Sequence, residues 1–195
     1  VVAIPQLIAL NAARWVRCVI LPARQAEVNK VAARLIASQA KAVYQALALA
    51  TGVPWWVIAV IHEREADQDF SRSIAQGDPW NAPSRHVPKL RGPFKSFKDA
   101  AIDALTKCPP RAAEWKDWSA GGTLTLLEEY NGLGYEDYHS EPSPYLFGGT
   151  NIEQQGKYVA DGRWSAEAWD MQLGCAAMLR QMLALDPSIH FGAPT

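Results

Sequence analysis

The chain has 195 residues, 49% of them hydrophobic and 20% charged, with a formal net charge of −1. That length supports one domain with a real core or two small ones, and the composition is that of a folded globular protein. The basic excess on which nucleic-acid binding usually rests is missing, so no nucleic-acid partner is expected.

Taken in chain order, the predicted elements begin with an apolar stretch over residues 1–10. No charged segment precedes it, Arg14 and Arg17 follow it, and no cleavage site is evident. It reads as folded chain or a trimmed end, peripheral as far as residue 20, and not as a signal peptide. No apolar stretch reaches the ~20 residues that cross a bilayer, so no membrane span is expected. Cys18, Cys108 and Cys175 are too few and too scattered for a disulfide framework or a zinc site. They are expected as buried free thiols, with room for one disulfide. No cofactor is expected, and the sequence sets no oligomeric state.

Residues 26–50 form one long predicted helix, rich in Ala, Gln, Lys and Leu and free of Pro and Gly. Gly52 ends it, and Pro54 suits the first turn of a second helix. That second helix carries the most informative segment, Val57-Ile58-Ala59-Val60-Ile61-His62-Glu63-Arg64-Glu65. Ile58, Ile61 and Glu65 share one helical face, at steps of three and four, while Glu63 points roughly the opposite way. A carboxyl held at the end of an apolar stripe has its charged form disfavoured, which is what a general acid near neutral pH requires.

Residues 67–95 are polar and turn-rich, with Gly77-Asp78-Pro79 and Asn81-Ala82-Pro83 as turn signals. Residues 70–74 and 84–87 are candidate hairpin strands. A short helix is expected over residues 97–106, broken at Cys108-Pro109-Pro110, and one or two helical turns over 112–118. Gly121-Gly122 is expected to precede an amphipathic helix over 123–131, ended by Gly132-Leu133-Gly134. Residues 135–162 read as ordered loop. Residues 164–185 read as a final helix with Trp169, Leu173, Ala176, Ala177, Leu179 and Met182 inward. The whole is predicted to be mainly α (α+β): one domain, with a small β-hairpin region after the helix that bears Glu65.

A buried helix delivering a glutamate, then a small β region, then a helical lobe, is the plan of the lysozyme-like fold. The residues resemble those of bacterial and phage lysozyme-family proteins, relatives of goose-type lysozymes and lytic transglycosylases. Ile61-His62-Glu63-Arg64-Glu65 with Asp69-Phe70 is similar to the family's Arg-Glu-Ser block. Gly77-Asp78-Pro79 and Ser84-Arg85-His86-Val87-Pro88 resemble its hairpin. Tyr130-Asn131-Gly132-Leu133-Gly134-Tyr135 resembles its Tyr-Asn-Gly segment. Ser143-Pro144-Tyr145-Leu146 and Gly156-Lys157-Tyr158-Val159-Ala160-Asp161-Gly162 match two further blocks. The resemblance runs over residues 20–185. Two departures stand out: Ala66 replaces the family's usual Ser, and Glu63 adds a second acid to the block.

The resemblance implies a glycosidase that cuts the β-1,4 bond between N-acetylmuramic acid and N-acetylglucosamine in peptidoglycan. Glu65 would be the catalytic acid, protonating the glycosidic oxygen. Its alternative is a helix-end glutamate paired with Arg64 or Arg72. Glu63 is expected on a solvated or ion-paired face. His62-Glu63 fits a zinc-protease motif only with a second His at position 66, which is Ala, so no metal is expected.

Asp78, 13 residues beyond Glu65, is the candidate second carboxylate, set against a plain turn role. It would activate a water or stabilise the oxocarbenium-like state. His86 either hydrogen-bonds substrate or orients the hairpin. Tyr130, Asn131 and Tyr145 are candidate sugar contacts, since aromatic faces and amides suit a glycan. Tyr158 is expected to fill space beneath loops. Trp55, Trp56 and Trp169 are expected in the core, and Trp80 is a candidate exposed sugar platform.

Hydrolysis and lytic transglycosylation both remain open, as does a non-catalytic wall-binding module on the same fold, or a related enzyme acting on chitin or chitosan. The expected setting is a bacterial or phage-encoded protein without a leader, acting at the cell wall.

Overall fold

The computed structural model describes residues 1–160 and 162–192. Helices dominate, and a single two-stranded antiparallel sheet is present among the described residues, which is the mainly α (α+β) class expected. Two compact units are distinguished: Val1–Ala32 with Asp117–Thr195, and Ala33–Lys116.

In the first unit, α1 (Ile4–Arg17) packs on α6 (Ala120–Asn131). Leu7, Asn11 and Arg14 form its buried face at steps of four and three. The stretch expected to be peripheral is therefore part of this core. Ser119 caps α6 by accepting from the Gly122 amide at 3.1 Å. Gly121 and Gly122 thus lie inside the first turn, where the sequence reading placed them before the helix. A Cβ at Gly121 would collide with the Ile8 carbonyl and Ala12 of α1, so the glycine permits the close approach of the two helices.

After α6 come α7 (Gly134–His139), α8 (Pro144–Phe147) and the hairpin β1 (Lys157–Ala160) with β2 (Arg163–Ser165). Residues 135–162 are thus more regular than expected, although Asp161 lies outside the described residues. Lys157 pairs with Ser165 and Tyr158 with Trp164. Tyr135, His139, Tyr158 and Trp164 form an aromatic cluster on the hairpin, with His139 stacked on Trp164 at 3.7 Å. Tyr158 is packing, as its neighbours imply.

The last helix, α9, runs Cys175–Leu185 and not from residue 164. Trp164 belongs to β2, and Trp169 is 50% exposed, correcting its assignment to the core. Cross-strand pairing with Tyr158 takes Trp164 out of the expected helix. Leu173, Ala176, Ala177, Leu179 and Met182 are buried as expected.

The expected long helix is two elements, α2 (Gln25–Leu35) and α3 (Ser38–Thr51). The chain breaks at Ala37, whose backbone is extended (ψ 137°). No Gly or Pro marks the break; burial of Leu35 before it and Tyr44 and Leu47 after it outweighs helix propensity. Gly52 closes α3 in the left-handed region (φ 77°), and Pro54 caps α4 (Trp55–Ala66). Trp56 is buried, while Trp55 is half-buried beneath the Lys41 ammonium.

Residues 70–74 and 84–87 are not strands. An isolated bridge, Arg72 with Pro79, is all the pairing this segment shows. Its backbone groups close turns instead, including Ser73 N–H to the Asp78 carbonyl at 2.7 Å. Pro79, Pro83, Pro88 and Pro93 also remove four ladder donors. The segment ends at α5 (Phe97–Lys107), capped by Ser96. A single 3₁₀ turn follows at Ala112–Glu114. All three cysteines are buried and free. No single helix among the described residues is long and apolar enough to cross a membrane.

Gly121→Ala is expected to lower stability by about 2 kcal/mol, because the α1 backbone must shift to admit the methyl. Urea unfolding followed by circular dichroism checks this; an unchanged midpoint would show that the helices do not need the close approach.

Candidate functional site

Glu65 sits half-buried in the last turn of α4. The helix reaches that turn through seven consecutive buried residues, 56–62. A helix enclosed on every side has no polar face for helical phase to select. Glu63, Arg64 and Glu65 are all half-buried, so phase does not separate the two acids as the sequence reading supposed.

Partners do separate them. Arg34 Nη2 donates to both oxygens of Glu63, at 2.7 and 2.8 Å, and its Nη1 donates to the Asp67 carbonyl at 2.9 Å. Burial pushes the Glu63 carboxyl above its ordinary pKa, and Arg34 opposes that shift. The acid expected to be solvated or ion-paired is ion-paired, and it ties α2 to the end of α4.

Behind α4 lies a buried polar chain. Gln68 Nε2 donates to the Tyr44 hydroxyl at 3.1 Å, which meets His62 Nδ1 at 2.9 Å. Burial lowers His62 to about 4, so the ring is neutral at pH 7. A neutral ring accepts the Tyr44 proton at Nδ1, because Tyr44 already accepts from Gln68. Burial pushes the Tyr44 phenol well above its ordinary value. Phe70 and Phe97 each pack on the His62 ring at 4.7 Å. His62 is therefore a core histidine.

The chain leaves α4 through two left-handed residues, Asp67 and Gln68 (φ 51° and 59°). Asp69 then nucleates a turn, its carboxylate accepting from the Ser71 amide at 2.9 Å and the Ser71 hydroxyl at 2.6 Å. Residues 73–78 close back on the helix end. Gly77 has φ +72°, and a Cβ there would lie 2.5 Å from the Glu65 carbonyl oxygen. Only glycine lets this turn seat against the residue that carries the candidate acid.

Asp78 is engaged by its own loop. Its Oδ2 accepts from the Arg85 and His86 amides at 2.7 and 2.9 Å, and its Oδ1 meets His86 Nδ1 at 2.9 Å. Burial works to raise this carboxyl, but the His86 and Arg85 hydrogen bonds outweigh it and hold the pKa below its ordinary value. The His86 side chain is 75% exposed at the rim of this clasp. Trp80 is half-buried, and its indole N–H donates to the Phe70 carbonyl at 2.9 Å, tying the loop together.

Glu65, Asp78 and His86 belong to the unit Ala33–Lys116, while Tyr130, Asn131 and Tyr145 belong to the other. Asp78 and His86 touch directly, and Glu65 meets their loop through Gly77. Tyr130 is half-buried and Asn131 exposed at the end of α6. Tyr145 is 4% exposed, part of the packing of α8 and not an open sugar platform. Asn131 Nδ2 donates to the Ser143 hydroxyl at 3.4 Å, so the two motifs that carry Asn131 and Tyr145 meet at Ser143.

Sequence reasoning missed Glu128, which is 0% exposed. Burial pushes it up to about 8, Glu136 adds to this, and Arg14 and Ser143 oppose it. Arg14 is already ion-paired with Glu136 and donates to Asn11 Oδ1 at 3.3 Å. Residues 121–128 of α6 are buried in succession, so helical phase does not single out this acid either.

A cavity of about 570 Å³ in the second unit is bounded by Arg34, Ala37, Ala40, Gln68 and Phe70, and neither Glu65 nor Asp78 lines it. No group of metal-ligating side chains occurs among the described residues. Comparison with protein-family models, curated proteins and solved structures gives no match.

Two outcomes are expected. Asp78→Asn should speed hydrogen exchange at the Arg85 and His86 amides at neutral pH and leave α4 unchanged. Because the folded-state pKa of Asp78 is depressed, wild type should loosen the same loop only on acidification, as pH falls through that value. Glu128 has the opposite sign. Its stabilisation is complete below its ordinary value of 4.5 and is lost progressively as pH rises to about 8. Glu128→Gln should flatten the dependence of the urea midpoint on pH over that window.

Proposed function

We propose that the chain adopts a lysozyme-like fold and cleaves the glycan strands of peptidoglycan at the N-acetylmuramic acid to N-acetylglucosamine β-1,4 bond. Glu65 is the general acid. The observation that carries this reading is the way Glu65 is delivered. A helix buried on every side ends at it, and a glycine turn is pressed against its backbone. The Glu-Arg-Glu block and the four motifs downstream resemble the lysozyme family in order and spacing.

In this reading the Glu65 carboxyl gives its proton to the glycosidic oxygen as the C1–O bond breaks. The sugar then passes through an oxocarbenium-like state. Glu63 does not compete, because protonating it breaks its paired contacts with Arg34. The protein acts at the cell wall, from a bacterial or phage source.

The engagement of Asp78 favours a second reading of the later step. Three hydrogen bonds from residues 85 and 86 occupy its oxygens, so it acts as the clasp of the loop and not as a nucleophile. Without a second carboxylate, the muramyl 6-hydroxyl closes on C1, returns its proton to the Glu65 carboxylate and gives a 1,6-anhydro product, as in lytic transglycosylases. Water attack gives the hydrolysed product instead.

Glu65→Gln should cut release of muropeptides from purified sacculi by roughly 10²-fold or more while the protein stays folded. Glu63→Gln should keep most activity, since it removes a partly exposed ion pair worth about 1 kcal/mol or less. Wild-type lysis by the Glu65 variant would sink the assignment. Sacculus binding with no muropeptides released by wild type would mark a non-catalytic wall-binding module. Mass spectra of the products separate the two later steps, because the anhydro product is lighter by one water.

A further inference from the structure

We propose that the loop at residues 85–90 docks on an anionic membrane surface. Val87 and Leu90 enter the acyl boundary, while Arg85 and Lys89 rest among the headgroup phosphates. This goes beyond the reading of Glu65 and does not depend on it.

The first observation is charge. The chain is nearly neutral as a whole, but the unit Ala33–Lys116 holds twelve lysines and arginines against eight aspartates and glutamates. Residues 79–98 contain five of those cations and no carboxylate. One of the five, Arg91, is bound to Asp103, with Nε donating to Oδ2 at 2.9 Å. Arg85, Lys89, Lys95 and Lys98 are exposed, and none of the four forms an ion pair among the described residues.

The second observation is apolar. Val87 is 72% exposed and Leu90 is 82% exposed. A lone surface aliphatic is ordinary, and so is a solvated charge run. Here both fall within one closed loop of six residues. The Ser84 amide donates to the Arg91 carbonyl and the Leu90 amide to the Ser84 carbonyl, each at 2.9 Å. Ser84 Oγ accepts from the Arg91 amide at 2.9 Å and donates to the Pro88 carbonyl at 2.7 Å. The Asp78 carboxylate takes the Arg85 and His86 amides. These bonds turn backbone polarity inward and leave the aliphatic side chains outside. Leu90 is held at φ 62°, in a left-handed region that aliphatic residues rarely enter.

Together the two observations select the partner. A soluble polyanion would use the cations and leave Val87 and Leu90 in water. An anionic bilayer uses both: aliphatic tips bury beneath the headgroups, and Lys and Arg keep their charges at the level of the phosphates. Backbone groups that are already paired enter the interface without losing partners. A loop ordered in advance also gives up little freedom on docking.

The test sediments the full chain with vesicles of phosphatidylcholine alone, and with vesicles of equal parts phosphatidylcholine and phosphatidylglycerol. Wild type should pellet with the anionic vesicles only. Arg85→Gln combined with Lys89→Gln should lower partitioning roughly 25-fold, about fivefold for each charge. Val87→Thr combined with Leu90→Asn should lower it about tenfold. Asparagine tolerates the left-handed backbone at position 90, and circular dichroism checks that both variants stay folded. Wild type that ignores the anionic vesicles, or binds the neutral ones equally, overturns the proposal. So does an apolar variant that binds as wild type does, an outcome that would assign the cations to a soluble polyanion.

Discussion

The enclosure of α4 is the constraint on which the candidate site depends. Seven residues in succession are removed from solvent, so the helix has no wet face to present until it ends. The first polar side chains beyond that run must therefore find partners at the helix end itself. Glu63 takes Arg34, the Asp67 carbonyl takes the same arginine, and Gln68 takes Tyr44. These contacts fix the left-handed exit of the chain. The exit in turn fixes where the 73–78 turn comes down, with Gly77 against the Glu65 carbonyl. Asp78 then organises the next loop through residues 85 and 86. One buried helix thus sets a series of local contacts, each of which places the next.

The other unit solves a different problem. The buried face of α1 is partly polar, and Asn11 and Arg14 carry that polarity into the packing with α6 and α7. One arginine there serves two buried acids. It pairs with Glu136, and Glu128 is left protonated beside it. A neutral carboxyl is cheaper to bury than an unmatched anion, and it can still receive a hydroxyl proton. The motifs that carry Asn131 and Tyr145 meet nearby, at the Ser143 hydroxyl.

The sequence made much of this legible, though unevenly. The element ends marked by glycine and proline were readable: Gly52 and Pro54, between α3 and α4. Helical phase, one of the two arguments for Glu65, loses its force in the structure. Helical phase presumes a half-exposed helix, and α4 is not one. Nor is α6, whose residues 121–128 are all buried, so phase does not reveal Glu128. The expected strands at 70–74 and 84–87 failed because prolines and turn hydrogen bonds consumed the backbone groups that a ladder needs. Trp169 was misplaced because residues 163–165 pair as a strand with β1.

By itself the sequence determined the helical character of the chain and its main punctuation. Those properties reside in propensity, capping and hydrophobic spacing, which act within a few residues. Only the tertiary structure decided which acid is held by Arg34, that Asp78 clasps its own loop, where the hairpin lies, and that α6 carries a fully buried carboxyl, Glu128. Each of these depends on a partner brought in by the packing of another element or by the closing of a loop. No single element's periodicity contains that information.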